Sequence, residues 1–110
     1  MAYTNLGLCL TIAPMTLALK DIEEAATRIS SATINTRFEK SRTLSAMADA
    51  ELYLKFENFQ FTASFKDRGA LNKLLILQQQ GEVKGVIAMS AGNHAKAVAY
   101  HAQRLGIPAT

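Results

Sequence analysis

The sequence predicts an α/β fold with parallel strands. Three observations carry that prediction: an alternating apolar and polar segment at Glu51–Phe59, a short wholly apolar run at Val86–Met89, and helical spacing after each of them. Strand, helix, strand, helix in this order is the pattern of a parallel sheet covered by helices.

Ahead of the first strand, Leu19, Ile22, Ala26 and Ile29 recur at three- and four-residue steps, which predicts a helix from Leu17 to about Ser31. Asp21, Glu23 and Glu24 lie toward its N-terminal half, where the helix dipole favours acids. Residues 32–45 show no period and read as a loop with at most a short strand or turn. In the alternating segment, Leu52, Leu54 and Phe56 would face a core while Tyr53, Lys55 and Glu57 face solvent. Ser64 followed three residues later by Asp67 matches a capping box, so the next helix should start near Phe65. It should run to about Gln79 and bury Ala70, Leu71, Leu74, Leu75 and Leu77.

Gly81 and Gly85 bracket a turn, after which Val86–Met89 reads as a buried parallel strand. Helical spacing resumes with Ala95, Val98, Ala99, Ala102 and Leu105, and Gly106 and Pro108 end that helix. The sequence contains no internal repeat and no low-complexity tract.

Composition narrows the function classes. With 110 residues, 49% of them hydrophobic and 19% charged, the chain can build one modest core and is not a disordered tract. Lys and Arg total 12 against 9 Asp and Glu, but they are scattered and not interleaved with stacking aromatics, so nothing indicates a nucleic-acid surface. The lone cysteine, Cys9, has no internal disulfide partner and fits a reducing compartment, with cytoplasm the default. The uncharged stretch Met1–Leu19 has no Lys or Arg before it and is interrupted by Pro14. It falls short of the ~20 apolar residues of a spanning helix, so a membrane is not expected. Residues 1–16 read as an unstructured or artefactual extension, with Met15 an alternative start.

Two strand-to-helix junctions place functional groups at a helix N-terminus, where free backbone N–H groups collect ligands in α/β folds. The first holds Lys66 and the second Ser90, Gly92, Asn93 and His94. A neutral amine can attack a carbonyl and form a Schiff base, and a helix N-terminus disfavours a second positive charge. Taken alone, a lysine in such a position reads first as a solvated first-turn lysine, with Ser64 and Asp67 merely capping. In the second junction Gly92 permits close backbone approach, Ser90 offers a hydroxyl, and Asn93 brings a donor and an acceptor. That segment is also readable as a simple cap. His94 reads as an ordinary helix histidine, and His101 has no partner at metal-ligand spacing, so no metal site is expected.

Taken together, Thr62-Ala63-Ser64-Phe65-Lys66-Asp67-Arg68-Gly69-Ala70 and Ser90-Ala91-Gly92-Asn93-His94-Ala95 resemble the serine/threonine dehydratase family. These are pyridoxal-phosphate enzymes of fold type II, the tryptophan synthase β type, and the likeness within them is to threonine ammonia-lyases. Leu54-Lys55-Phe56-Glu57-Asn58 and Leu105-Gly106-Ile107-Pro108-Ala109-Thr110 also fit the family's pattern, and the resemblance runs from about Asp21 to the end.

The resemblance implies pyridoxal 5'-phosphate as cofactor and deamination of L-threonine and L-serine to the 2-oxo acid. It implies Lys66 as the Schiff-base lysine and shuttle for the substrate α-proton, with Phe65 packed by the cofactor. Asn93 would bond the cofactor's ring hydroxyl oxygen, and Ser90, Gly92, Asn93 and His94 would hold the substrate carboxylate. It further implies a small amino-acid substrate as the only partner besides copies of the full-length chain in a homo-oligomer. Residues 17–79 would belong to the large cofactor domain and 80–110 would open a smaller, truncated one.

Three departures from the family's pattern stand out. Ala63 replaces a usual glycine, read here as a packing variation, and Arg37 follows Thr36 where proline is common. Ala91 matches dehydratases, whereas related serine racemases carry there a serine that acts as the second acid/base. The family's glycine-rich phosphate loop and the residue that meets the pyridine nitrogen lie beyond position 110, and a strand would be cut at Ile107–Thr110. The alternatives are therefore a non-catalytic remnant or pseudoenzyme, or a serine racemase. The 110 residues alone are expected to hold the cofactor poorly and, through the exposed edge at Ile107–Thr110 together with the unpaired apolar face of the helix at 65–79, to be marginal and prone to association.

Overall fold

The computed structural model describes residues 16–81 and 83–110, so the expected extension at residues 1–16 falls outside it but for Thr16. Four helices and one small sheet follow in chain order. They are α1 (Leu19–Ile29), β1 (Phe38–Lys40), α2 (Arg42–Ala48), β2 (Tyr53–Lys55), α3 (Lys66–Gln79) and α4 (Asn93–Leu105), with single 3-10 turns at Ser30–Ala32 and Glu57–Phe59. Among the described residues no helix is long and apolar enough to cross a membrane.

Helix α1 starts where expected because the Asp21 carboxylate accepts the Ala18 N–H at 2.8 Å, satisfying a donor that the helix itself leaves free. Its apolar face is mostly uncovered: Ile29 is buried, whereas Leu19 and Ile22 are exposed. The helix touches α3 near its C-terminal end, where Arg28 donates to Asn72.

The segment read as a loop holds more order than its lack of period implied. β1 pairs antiparallel with β2 in the register Phe38 to Lys55, Glu39 to Leu54 and Lys40 to Tyr53. Between the strands sits α2, with Ser41 as its N-cap accepting from the Leu44 N–H at 3.3 Å. A seven-residue helix with no buried residue leaves no apolar stripe for a sequence reading to find. The predicted strand at Glu51–Phe59 is shorter, and its expected inward set, Leu52, Leu54 and Phe56, is half-buried. The described sheet is thus antiparallel, and the parallel component is a single bridge between Val86 and Ala109.

The core lies between α3 and α4. Asp67, Ala70, Leu71 and Leu74 form the buried stripe of α3 at three- and four-residue steps, while Leu75 and Leu77, expected in the core, are only half-buried. Leu74 packs with Ala102 and Ile107, and Val83, Val86 and Leu105 close around them. The apolar face of α3 is therefore partnered within the chain, against the expectation that it would stand open. On α4 the buried positions are Ala97, His101 and Ala102 rather than the full aliphatic set predicted. Two alanines without exposed surface allow the helices close approach, and a buried histidine cannot be found from apolar spacing.

Helix α4 ends as the sequence requires. Gly106 adopts φ +68, its N–H donates to the Gln103 carbonyl at 3.2 Å, and the Ile107 N–H reaches back to Ala102 at 2.9 Å. This is a Schellman ending, with Ile107 turned into the core. The chain then runs beside 86–88: the Val86 N–H donates to Pro108 at 2.8 Å and the Ala88 N–H to Thr110 at 2.9 Å. A Cβ at Gly85 would sit 3.3 Å from the Pro108 carbonyl oxygen, a tight contact that glycine avoids. The run 86–89 is not the buried strand predicted. Ile87 is 87% and Met89 101% exposed, because pairing on one side leaves both residues without a covering layer.

Candidate active site

Lys66 opens α3, on a loop that the sequence ties down tightly. The Ala63 N–H donates to the Gln60 carbonyl at 2.9 Å, which closes a turn over 60–63, and Ala63 itself sits at φ +59. That left-handed conformation is the reason a glycine suits this position; the departure is one of backbone geometry, not of packing. Ser64 is buried, and its Oγ accepts from the Lys66 N–H at 3.4 Å.

The expected capping box does not form, and Asp67 turns the other way. Its Oδ2 accepts the Thr62 N–H at 2.9 Å, and its Oδ1 accepts the Thr62 hydroxyl at 2.8 Å and faces His101 Nε2 at 3.1 Å. Both Asp67 and His101 are fully buried. Burial lowers the pKa of His101 from its ordinary 6.5, against the opposing pull of the Asp67 charge.

The Lys66 side chain is half-buried, with Nζ 4.8 Å from the centre of the Phe65 ring, and Phe65 is exposed. The ion pairs among the described residues are Lys20–Glu24, Arg37–Glu39, Lys40–Glu51, Arg68–Glu57 and His101–Asp67. Lys66 is in none of them.

A second anchor lies beside this turn. Arg68 donates to both oxygens of Glu57 at 2.8 Å, the Thr36 hydroxyl adds a bond at 2.7 Å, and Gln60 bonds the backbone N–H and carbonyl of Ile34. The Arg68 guanidinium is the main cause that holds the Glu57 carboxyl at about 2, below its ordinary 4.5. Sequence reading missed Glu57, Gln60, Arg68 and His101 as members of a network. Only pairing across 11 to 34 positions reveals them.

The second junction is exposed at Ser90, Gly92, Asn93 and His94. Ser90 Oγ accepts the Gly92 N–H at 3.4 Å, and no side chain caps α4. Ser90 thus makes a local backbone bond, as the cap reading allows, while the first-turn N–H groups of the 13-residue helix carry no side-chain cap. A Cβ at Gly92 would meet nothing within 4 Å, which leaves open space over the loop.

A cavity of about 270 Å³ lies between α3, the 86–88 run and α4, lined by Gly69, Ala70 and Lys73 of α3, by Ile87, and by His94 and Val98 of α4. Gly69, Ala70 and Lys73 follow Lys66 at steps of three, four and seven, so Lys66 heads the helix face that borders this space. Of the predicted residues, His94 lines the cavity, whereas Phe65, Lys66, Ser90, Gly92 and Asn93 lie outside its wall. A larger groove, about 560 Å³, runs between α1 and α3 past Ile22, Ile29 and Arg68 and holds none of them.

Lys66 thus has no described carboxylate partner, Gly92 opens on empty space, and no side chain caps α4. The pyridoxal-phosphate dependent enzyme family matches residues 29–110, and the chain belongs to it. Over 94 residues the chain is 47% identical to an L-threonine ammonia-lyase of Thermotoga maritima, covering 86% of this chain and 23% of that protein. Among solved structures it is similar to a threonine deaminase from T.th., with a TM-score of 0.73 and 45% identity over 86% of this chain and 33% of the other. It is also similar to a serine racemase from Dictyostelium discoideum, with a TM-score of 0.77 and 39% identity over 84% of this chain and 31% of the other. The fold is that of fold type II pyridoxal-phosphate enzymes. The chain spans about a quarter of the length of the curated relative.

Proposed function

We propose that the complete protein to which these residues belong deaminates L-threonine and L-serine to the 2-oxo acid and ammonia, with pyridoxal 5'-phosphate as cofactor. The observation that carries this reading is the Lys66 amine, unpaired with any described carboxylate and heading the α3 face that borders the cavity shared with His94. When bound, the cofactor supplies an electron sink for the carbon that loses its proton.

The chain's own residues bind, orient and move protons. Lys66 would hold the cofactor through its amine and, released by substrate, take the α-proton. Asn93 would donate to the ring hydroxyl oxygen, and Phe65 would pack at the ring's edge. The uncapped start of α4, with Ser90, Gly92, Asn93 and His94, would hold the substrate carboxylate on its free N–H groups. Residues 17–79 would form part of the large domain and 80–110 the start of the smaller one, in a cytoplasmic homo-oligomer.

Replacing Lys66 tests the assignment. In the full-length protein, Lys66→Ala should abolish both the borohydride-stable cofactor adduct and the lyase activity. An adduct persisting at full yield on another lysine would show that Lys66 is not the residue.

Likeness to a serine racemase supports a second reading, racemisation. Ala91 weighs against it, since a methyl group has no proton to give to the opposite face of the substrate carbon. Chiral analysis of the products from L-serine decides: pyruvate should form faster than D-serine, and the reverse order would establish the racemase.

A further inference from the structure

No step of the proposed reaction uses the most buried polar group in the described chain, the Asp67–His101 pair. Both residues have 0% exposure, and they join the first turn of α3 to α4 at 3.1 Å. The identities of the partners dictate how the proton sits. With Nδ1 facing a guanidinium that only donates, the neutral ring carries its hydrogen on Nε2, which points at Asp67 Oδ1. A guanidinium only donates, so His101 Nδ1, 3.4 Å from Arg104 Nη1, is the acceptor. The histidine is thereby held neutral in one tautomer. Protonation of Nδ1 would set a donor against the Arg104 donor.

The pair is one end of a longer tether. Asp67 also holds Thr62 through its backbone N–H and its hydroxyl, which closes the loop 62–67 on itself. One position before that loop, Phe61 stacks on Tyr100 at 5.8 Å, and Tyr100 meets the His101 ring edge-on at 5.0 Å. The loop that presents Lys66 is thus fastened to α4 at two consecutive α4 residues. Helix α4 also begins with Asn93 and His94, so one rigid rod carries both the tether and the second half of the site.

We propose that Asp67 and His101 are positioning residues that fix the first turn of α3 against α4, and so set the place of the Lys66 amine relative to the Ser90–His94 loop. Lys66 and Asp67 are neighbours on one helical turn with different surroundings, one half-buried and one sealed. Any rotation or slide of that turn that would move the amine must first pull a carboxylate with three donors out of a dry site. This inference rests on the reading of Lys66 as the cofactor-holding residue.

The test uses the full-length protein and three variants: His101→Leu, which removes the donor; His101→Gln, which returns an N–H near the Nε2 position; and Thr62→Val, which removes one hydroxyl donor. Two quantities are read: amide hydrogen exchange over 62–68 in the cofactor-free protein, and pyridoxal phosphate affinity with borohydride trapping to identify the modified lysine. His101→Leu should speed exchange at 62–67 and weaken cofactor binding by about ten- to a hundredfold. His101→Gln should recover most of both, and Thr62→Val should move both in the same direction by less. Should His101→Leu fail to fold, Thr62→Val still decides.

Unchanged exchange and affinity in His101→Leu, or in Thr62→Val where the leucine variant does not fold, would overturn the proposal, as would a glutamine variant no better than a folded leucine variant. Trapping on a lysine other than Lys66 in the unaltered protein would instead refute the reading of Lys66 itself. The two failures are distinct.

Discussion

Ala63→Gly should stabilise the protein, although it removes a methyl group and shortens nothing else. Ala63 holds φ +59, a conformation that brings an L-residue's Cβ too close to the following carbonyl oxygen, at a cost of roughly 1–2 kcal/mol. Glycine escapes that clash but gains freedom in the unfolded chain, which offsets about 0.5–1 kcal/mol. The side chain is exposed, so little burial is lost with the methyl. The balance is a gain of about 0.5–1 kcal/mol, and with a urea slope of roughly 1.5 kcal/mol/M the midpoint should rise by about 0.3–0.7 M. Equilibrium urea unfolding of the two proteins, monitored by circular dichroism, measures it. Asp49, at φ +49 after α2, is a second site for the same exchange and should respond in the same direction. A midpoint that stays put or falls for Ala63→Gly would mean that residue 63 is not held left-handed, and the account of why glycine suits it would be wrong.

Three further outcomes follow from the polar groups around Lys66. Glu57→Gln removes the charge that accepts two bonds from Arg68 and should cost about 1.5–3 kcal/mol in the same unfolding experiment, whereas a loss under about 0.5 kcal/mol would mark the pair as idle. Because the Glu57 carboxyl is held at about 2 against an ordinary 4.5, its contribution is complete above 4.5 and disappears as pH falls through 2; the Gln variant should lack this acid-dependent part. His101 moves in the other direction in chemical terms, since its buried neutral form is the folded one. Below its ordinary 6.5 the unfolded chain takes up a proton that the folded chain refuses, so stability should fall as pH drops from about 7 toward 5, and His101→Gln should flatten that slope.

Much of the site was legible from local pattern. Lys66 stands at a helix start, the Ser90–Gly92 turn leads straight into α4, and Gly106 closes that helix, because each depends on residues within one turn of chain. The errors fall where a local pattern had a competing use. Ser64 and Asp67 have capping-box spacing, yet Asp67 finds better partners in Thr62 and in His101, 34 positions away. Val86–Met89 has the apolar run of a buried strand, but burial requires layers on both faces, and the described residues supply a neighbour only along 108–110.

By itself the sequence determined α1, α3 and α4, the two junctions and the membership of a pyridoxal-phosphate family, all of which rest on short-range spacing and on motif order, but not α2. Only the tertiary structure decided that Ala63 is left-handed, that Glu57 serves Arg68, and that a neutral His101 clamps the lysine's turn to α4. Those features are choices among hydrogen-bond partners, and a buried polar group takes whichever partner the packing of the helices brings within about 3 Å.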